Sequence, residues 1–142
     1  THTMNLTRNI SLEELTTSQT ATRLKINNTP TPEIIENLKV VAAQVQKVRD
    51  HFGKPLIISS GYRSEKLNSA IGGARNSQHT KGEAIDIQST NGYTNADIFN
   101  YIKNNLDFDQ LIWEYGTRKE PKWVHISYKK SGNRKQILYV GV

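Results

Sequence analysis

At 142 residues the chain has room for one compact domain and little space for a second. It holds no cysteine, which excludes disulfides and thiolate metal sites, and no apolar run approaches the roughly 18–20 residues needed to cross a bilayer. A net charge of +6 favours an anionic partner, either a wall polymer or nucleic acid, but the basic residues form no long stripe. The densest set, Lys129, Lys130, Arg134 and Lys135, surrounds Ser131-Gly132-Asn133 and reads as a solvated hairpin turn.

In chain order, Ser11-Leu-Glu-Glu14 is a capping box that opens a short helix. A polar connector follows, ending in Asn27-Asn28-Thr29-Pro30. Residues 1–30 are therefore expected to form an N-terminal helical extension packed on a main domain over 31–142. Thr31 caps the most legible helix, with Pro32 at its first position, where a missing N–H does no harm. Ile34, Leu38, Val41, Val45, Val48 and Phe52 recur at spacings of four and three and give it one apolar face. Gly53-Lys54-Pro55 ends that helix, and a strand begins at Leu56-Ile57-Ile58. Ser64 caps a further short helix that stops at Gly72-Gly73. A polar loop from Ala74 to Glu83 leads to a strand over Ala84–Gln88, and Thr94 or Asn95 starts a helix carrying Ile98, Ile102 and Leu106. Strands are expected over Gln110–Tyr115, Lys122–Tyr128 and Gln136–Val140. Helices come early and most strands late, which predicts a single α+β domain with a central antiparallel sheet packed by helices.

The four histidines differ in setting. His2 lies in the N-terminal tail, His51 ends the long helix, where a cation suits the helix dipole, His79 is in the polar loop and His125 is in an apolar strand. Strand alternation puts Ala84, Asp86 and Gln88 on one face and Ile85 and Ile87 on the other. Trp123, His125 and Ser127 likewise share a face. An Asp and a His in mid-strand need partners, because unpaired buried polar groups are expensive. They can hydrogen-bond each other or the backbone, or they can share one divalent ion. With His79 from the loop, the second arrangement leaves a coordination position for water, as in catalytic rather than structural zinc sites.

The stretches Ser59-Ser-Gly-Tyr-Arg-Ser64, Ser77-Gln-His79-Thr-Lys-Gly82-Glu-Ala-Ile-Asp86 and Trp123-Val-His125, in that order, resemble the zinc D-alanyl-D-alanine carboxypeptidase family. That family includes D-Ala-D-Ala dipeptidases and phage L-alanyl-D-glutamate endopeptidases, and its fold is shared with the hedgehog signalling domain. The resemblance implies one zinc ion held by His79, Asp86 and His125. It also implies a hydrolase cutting peptidoglycan peptides by a zinc-activated water, as a carboxypeptidase or as an endopeptidase of the endolysin type. Arg63 matches the arginine that faces the substrate carbonyl or carboxylate, with a surface ion pair to Glu65 as its plainer alternative. Ser77 matches a serine that hydrogen-bonds substrate, or else caps a turn, and Gly82 allows a tight backbone course between ligands.

One position departs from the pattern. Many family members carry an acidic general base three residues before the last histidine, where this chain has Lys122. Glu114, at the end of a strand, is the expected substitute ahead of Glu120 in the Lys119-Glu-Pro121 turn. The residues Thr1 to Arg8 lack the apolar core of a secretory signal, so the expectation is a phage or prophage lysin made in the cytoplasm and acting on the wall. A monomer is expected, with no membrane or nucleic-acid partner. A nucleic-acid-binding domain would leave Asp86 and His125 unexplained and lacks an aromatic-rich RNA-binding motif. The rival is a catalytically silent zinc module that recognises wall peptide or protein.

Overall fold

Local chemistry starts the longest helix. The Thr31 hydroxyl accepts a hydrogen bond from the Ile34 N–H, and Pro32 sits where no intrahelical donor is required. The resulting α3 (Pro32–Phe52) buries Leu38, Val41, Ala42, Val45 and Val48, and Ile34 and Phe52 pack half-buried against the same core. The computed structural model describes residues 5–73 and 77–142; His2 and the first three residues of the Ala74–Glu83 loop lie outside them.

Before α3, Ser11 and Glu14 form the capping box of α1 (Leu12–Thr16). The segment expected to be a polar connector contains a further helix, α2 (Gln19–Leu24), capped by Ser18, whose hydroxyl accepts from the Ala21 N–H. Its sequence offers only Ala21 as a buried apolar residue, too little periodicity to announce a helix. Ile10 and Leu15 join the same core as α3. After α3 come β1 (Ile57–Ser60), α4 (Glu65–Ala70), a 3-10 turn (Gln78–Lys81), β2 (Ala84–Gln88), α5 (Asn95–Asn105), β3 (Gln110–Glu114), β4 (Trp123–Ser127) and β5 (Gln136–Val140).

The strands form one sheet in the order β1-β2-β4-β3-β5. Three of the pairings are antiparallel, but β3 and β5 run parallel, so the sheet is mixed and the antiparallel expectation is corrected. The reason is positional. β4 already has β2 on one side and β3 on the other, so the chain leaving it has no edge to fold back on. Instead it is drawn back to the start of β3: the Lys135 N–H donates to the Phe108 carbonyl and the Gln136 N–H to that of Asp109. The Lys129–Lys135 segment is therefore a crossover connection and not the turn of a β4–β5 hairpin.

Strand alternation then divides the sheet. Ile85, Ile87, Leu111, Trp113, Val124 and Ile126 lie in the core beneath α3 and α5. Asp86, Gln88, Ile112, Glu114, Trp123 and His125 line a cleft on the opposite face. A bulge at Ser59 resets the alternation of β1, pairing Ile58 with Ile87 but Ser60 with Asp86. Ser60, Asp86, His125 and Ile112 thus form one row across four strands.

Asp109, fully buried at the entrance to β3, ties the crossover to this framework. Its Oδ1 accepts from the Arg134 N–H at 3.1 Å and Nε at 3.0 Å; its Oδ2 accepts from Arg134 Nη2 at 2.9 Å and Gln78 Nε2 at 2.7 Å. Lys129 Nζ stands 3.7 Å from the same carboxylate, so two members of the basic cluster are engaged with the fold rather than merely solvated. The Arg134 hydrogen bonds, helped by Gln78 and Lys129, hold the Asp109 carboxyl well below the usual carboxylate range against the opposing effect of burial. A depressed folded-state pKa stabilises fully above the unfolded value, about 3.9, and that contribution is lost as pH falls toward the folded value. Asp109→Asn should therefore cost about 2 kcal/mol at neutral pH, and the gap to wild type should close steadily below about pH 4. Urea unfolding at a series of pH values measures both; a gap unchanged down to pH 2 would remove the charge from the account.

Candidate metal centre

β2 and β4 pair so that Asp86 lies directly opposite His125, and the 3-10 turn swings His79 over the same spot. Asp86 Oδ1 is 3.0 Å from His125 Nδ1 and 3.4 Å from His79 Nε2. The imidazole planes are nearly perpendicular, at 77°, with centroids 5.1 Å apart. All three residues are buried, and one ligand atom from each falls within 4.8 Å of the others. Burial alone would raise the Asp86 carboxyl, but the two imidazoles, by charge and hydrogen bonds, hold it far below the ordinary range.

The arrangement fits a divalent ion. Two imidazole nitrogens and a carboxylate oxygen converge from a loop and two strands, leaving space on the cleft side. The Nε2 of His125 is buried with no hydrogen-bond partner among the described residues, an expensive state for a polar atom that coordination after a ring flip, or a shift of the ring, would relieve.

Local structure holds His79. The Ser77 hydroxyl accepts from the His79 N–H at 3.2 Å, the capping role foreseen as its alternative, although Ser77 also lines the cleft. Gly82 closes the turn at φ +72°, where an L side chain would be strained and a Cβ would meet Ile34 at 2.7 Å. The Gly61 carbonyl lies 2.7 Å from His79 Nδ1, which places the proton on that nitrogen and leaves Nε2 to face Asp86. The backbone around Gly61 is pressed against α1: the Tyr62 N–H donates to the Leu15 carbonyl at 2.6 Å, and a Cβ on Gly61 would lie 2.3 Å from that carbonyl oxygen. The Arg63 N–H in turn donates to the His79 carbonyl at 3.1 Å.

Of the two carboxylates considered as general base, only Glu114 lines the cleft. Its Oε1 is 3.8 Å from His125 Nδ1, and its Oε2 accepts from Trp123 Nε1 at 2.5 Å across the β3–β4 pair. Burial and the nearby Asp86 charge raise its pKa, only partly opposed by His125 and Trp123. Glu120 instead accepts from the Asn95 N–H at 3.0 Å, at the start of α5. Lys122 is exposed.

Arg63 reaches into the same cleft. Its Nη1 donates to Asn68 Oδ1 at 3.2 Å rather than to Glu65, and its Nε is buried without a hydrogen-bond partner among the described residues. Burial lowers its pKa, while the charges of Asp86 and Glu114 oppose that shift. The cleft encloses about 1060 Å³ and runs from Thr17 and Thr20 of the N-terminal helices to Tyr115 and Trp123.

Three contributors escape the sequence reading. The Gly61 carbonyl is a backbone group without a side-chain signature. Trp123 belongs to the Trp123-Val-His125 motif, but only its pairing with Glu114 gives its side chain a role. Gln78, beside His79, is anchored by Asp109, 31 residues away. If the Gly61 carbonyl orients His79, Gly61→Ala should weaken divalent-ion affinity about ten- to a hundredfold, as losses behind a metal ligand do. Competition against a chromophoric chelator measures it; undiminished affinity would refute the orienting role.

A family model described as peptidase M15 matches residues 8–127, across β1–β4 and all three candidate ligands. A zinc D-Ala-D-Ala carboxypeptidase of Streptomyces albus G is 40% identical over 52 residues, which make up 36% of this chain and 20% of that protein. The match thus spans only about a fifth of the relative's length. With the family model covering most of its residues, the chain belongs to the peptidase M15 family.

Proposed function

We propose that the chain is a zinc-dependent peptidase that hydrolyses peptides of bacterial peptidoglycan, as a carboxypeptidase or as an endopeptidase. The observation that carries this reading is the convergence of His79, Asp86 and His125 on the floor of an open cleft, with Glu114 and Arg63 beside them. Zinc is favoured over iron or manganese, which the same donors accommodate, because the similar carboxypeptidase is a zinc protein. The cleft of about 1060 Å³ has room for several residues of a wall peptide, as terminal and internal cleavage both require.

A bound divalent ion would supply Lewis acidity and bring the pKa of water down to about 7. The chain's own residues supply the rest. Glu114 receives the proton of the attacking water through Oε1 while Trp123 fixes Oε2, and it then passes a proton to the leaving amine. Arg63, which lines the cleft, offers its guanidinium to the oxygen on which negative charge develops. Both groups act in a partly buried site, where charge interactions are stronger than in bulk water.

Glu114→Gln keeps the Trp123 hydrogen bond but cannot take a proton. It should retain one zinc per chain and lose activity on a peptidoglycan digest by about 10²- to 10⁴-fold. Mass spectrometry of the released muropeptides identifies the bond. Near-normal hydrolysis by this variant would dismiss Glu114 as the base, and wild-type turnover indifferent to chelator would overturn the metallopeptidase reading.

A further inference from the structure

Beyond Glu114, the strand ends in an unusual conformation. Tyr115 has φ +58°, in the left-handed region that bulky residues rarely occupy. Strand alternation would send its side chain to the helix-covered face with Leu111 and Trp113. The reversal at Tyr115 brings it to the cleft instead, where it stands 45% exposed. Its ring meets Trp123 edge-on, with centroids 5.3 Å apart and planes at 61°. From behind, the ring is backed by Gly141, where a Cβ would come within 2.3 Å of ring carbon Cδ1, and its N–H donates to the Val140 carbonyl at 2.7 Å. The aromatic is thus held against the strain of its own backbone, on the wall beside the carboxylate that is the candidate base.

A Gly or Asn would make this turn without strain, and packing alone would favour the buried face. A half-exposed tyrosine fixed on the cleft wall has the character of a contact surface: large, stiff and low in entropy cost when it binds. We propose that Tyr115, with Trp123, forms a specificity subsite on Glu114's side of the cleft that receives an apolar side chain of the peptide next to the scissile bond. The proposal rests on the peptidase reading. Tyr115 is a substrate contact, and Trp123 both completes the wall and holds Glu114.

The test uses the full chain loaded with zinc, in a Glu114→Gln background that binds without turnover, and a synthetic wall peptide without sugars, followed by calorimetry. Adding Tyr115→Asn, which tolerates the left-handed backbone, should weaken peptide binding at least tenfold and leave zinc stoichiometry unchanged. Tyr115→Gly should do the same and serves if the Asn variant does not fold. In the otherwise wild-type chain, either substitution should raise KM with kcat changed less than threefold. Peptide bound equally tightly by parent and variants overturns the subsite while leaving the peptidase reading intact. A loss confined to kcat also overturns it, by assigning Tyr115 to the positioning of Glu114 through Trp123. Weakened binding of an N-acetyl sugar fragment with unchanged peptide binding overturns the peptide contact in favour of a glycan one. If the Glu114→Gln chain binds no wall peptide at all, the functional reading fails and the subsite with it.

Discussion

Asp86 is a carboxylate buried in the middle of a sheet, and an isolated charge there would cost several kcal/mol of solvation. Two imidazoles meet one of its oxygens, at 3.0 and 3.4 Å, and all three side chains are largely buried at the floor of the cleft. The two imidazoles offset part of that cost, and a shared cation would offset it for all three side chains together. The rest of the architecture follows from placing this cluster at one point: β2 and β4 adjacent and in register, β1 bulged so that Ser60 turns toward Asp86, and the 3-10 turn closed at Gly82.

The cluster is braced from two directions. From one side, α1 seats its Leu15 carbonyl against Gly61 and Tyr62, and the Gly61 carbonyl fixes the His79 ring. From the other, the buried Asp109 grips Gln78, one residue before His79, and joins it to Arg134 at the entrance to β5. The N-terminal helices and the C-terminal crossover therefore both bear on one imidazole. A candidate metal ligand delivered by a four-residue turn has little rigidity of its own, so such bracing is what makes its geometry reproducible.

Much of this is legible in the amino-acid sequence because it is local. The Thr31-Pro32 start of α3, its apolar stripe, the Ser11–Glu14 capping box and the alternation in β2 and β4 all depend on spacings of four residues or fewer. Alternation alone puts Asp86 and His125 each on the face opposite the isoleucines and Val124, but the register that sets them side by side is a property of two distant strands. What stayed hidden is non-local or carries no side chain. The parallel β3–β5 pairing depends on β4 having no free edge, and Asp109 reads as an ordinary acidic residue before a strand until Arg134 is folded onto it. α2 is hidden for a different reason, since its cap is clear but it buries too little to leave a stripe.

The parallel strand also changes what the last residues do. In a β4–β5 hairpin β4 would stand between β5 and β3, keeping the end of β5 a strand's width away from Glu114 and Tyr115. Running parallel to β3, β5 reaches the cleft end of the sheet with its own C-terminus, where Glu114 pairs with Val140 and Gly141 follows. Gly141 has no side chain to obstruct the Tyr115 ring, so the close approach that holds the ring on the cleft wall is possible only in this topology. Residues 128–142 lie beyond the span matched by the family model, yet through Val140 and Gly141 they fix the aromatic wall next to the candidate base. The candidate metal ligands and the candidate base lie in the matched region, and this wall of the cleft takes its shape from the segment that follows it.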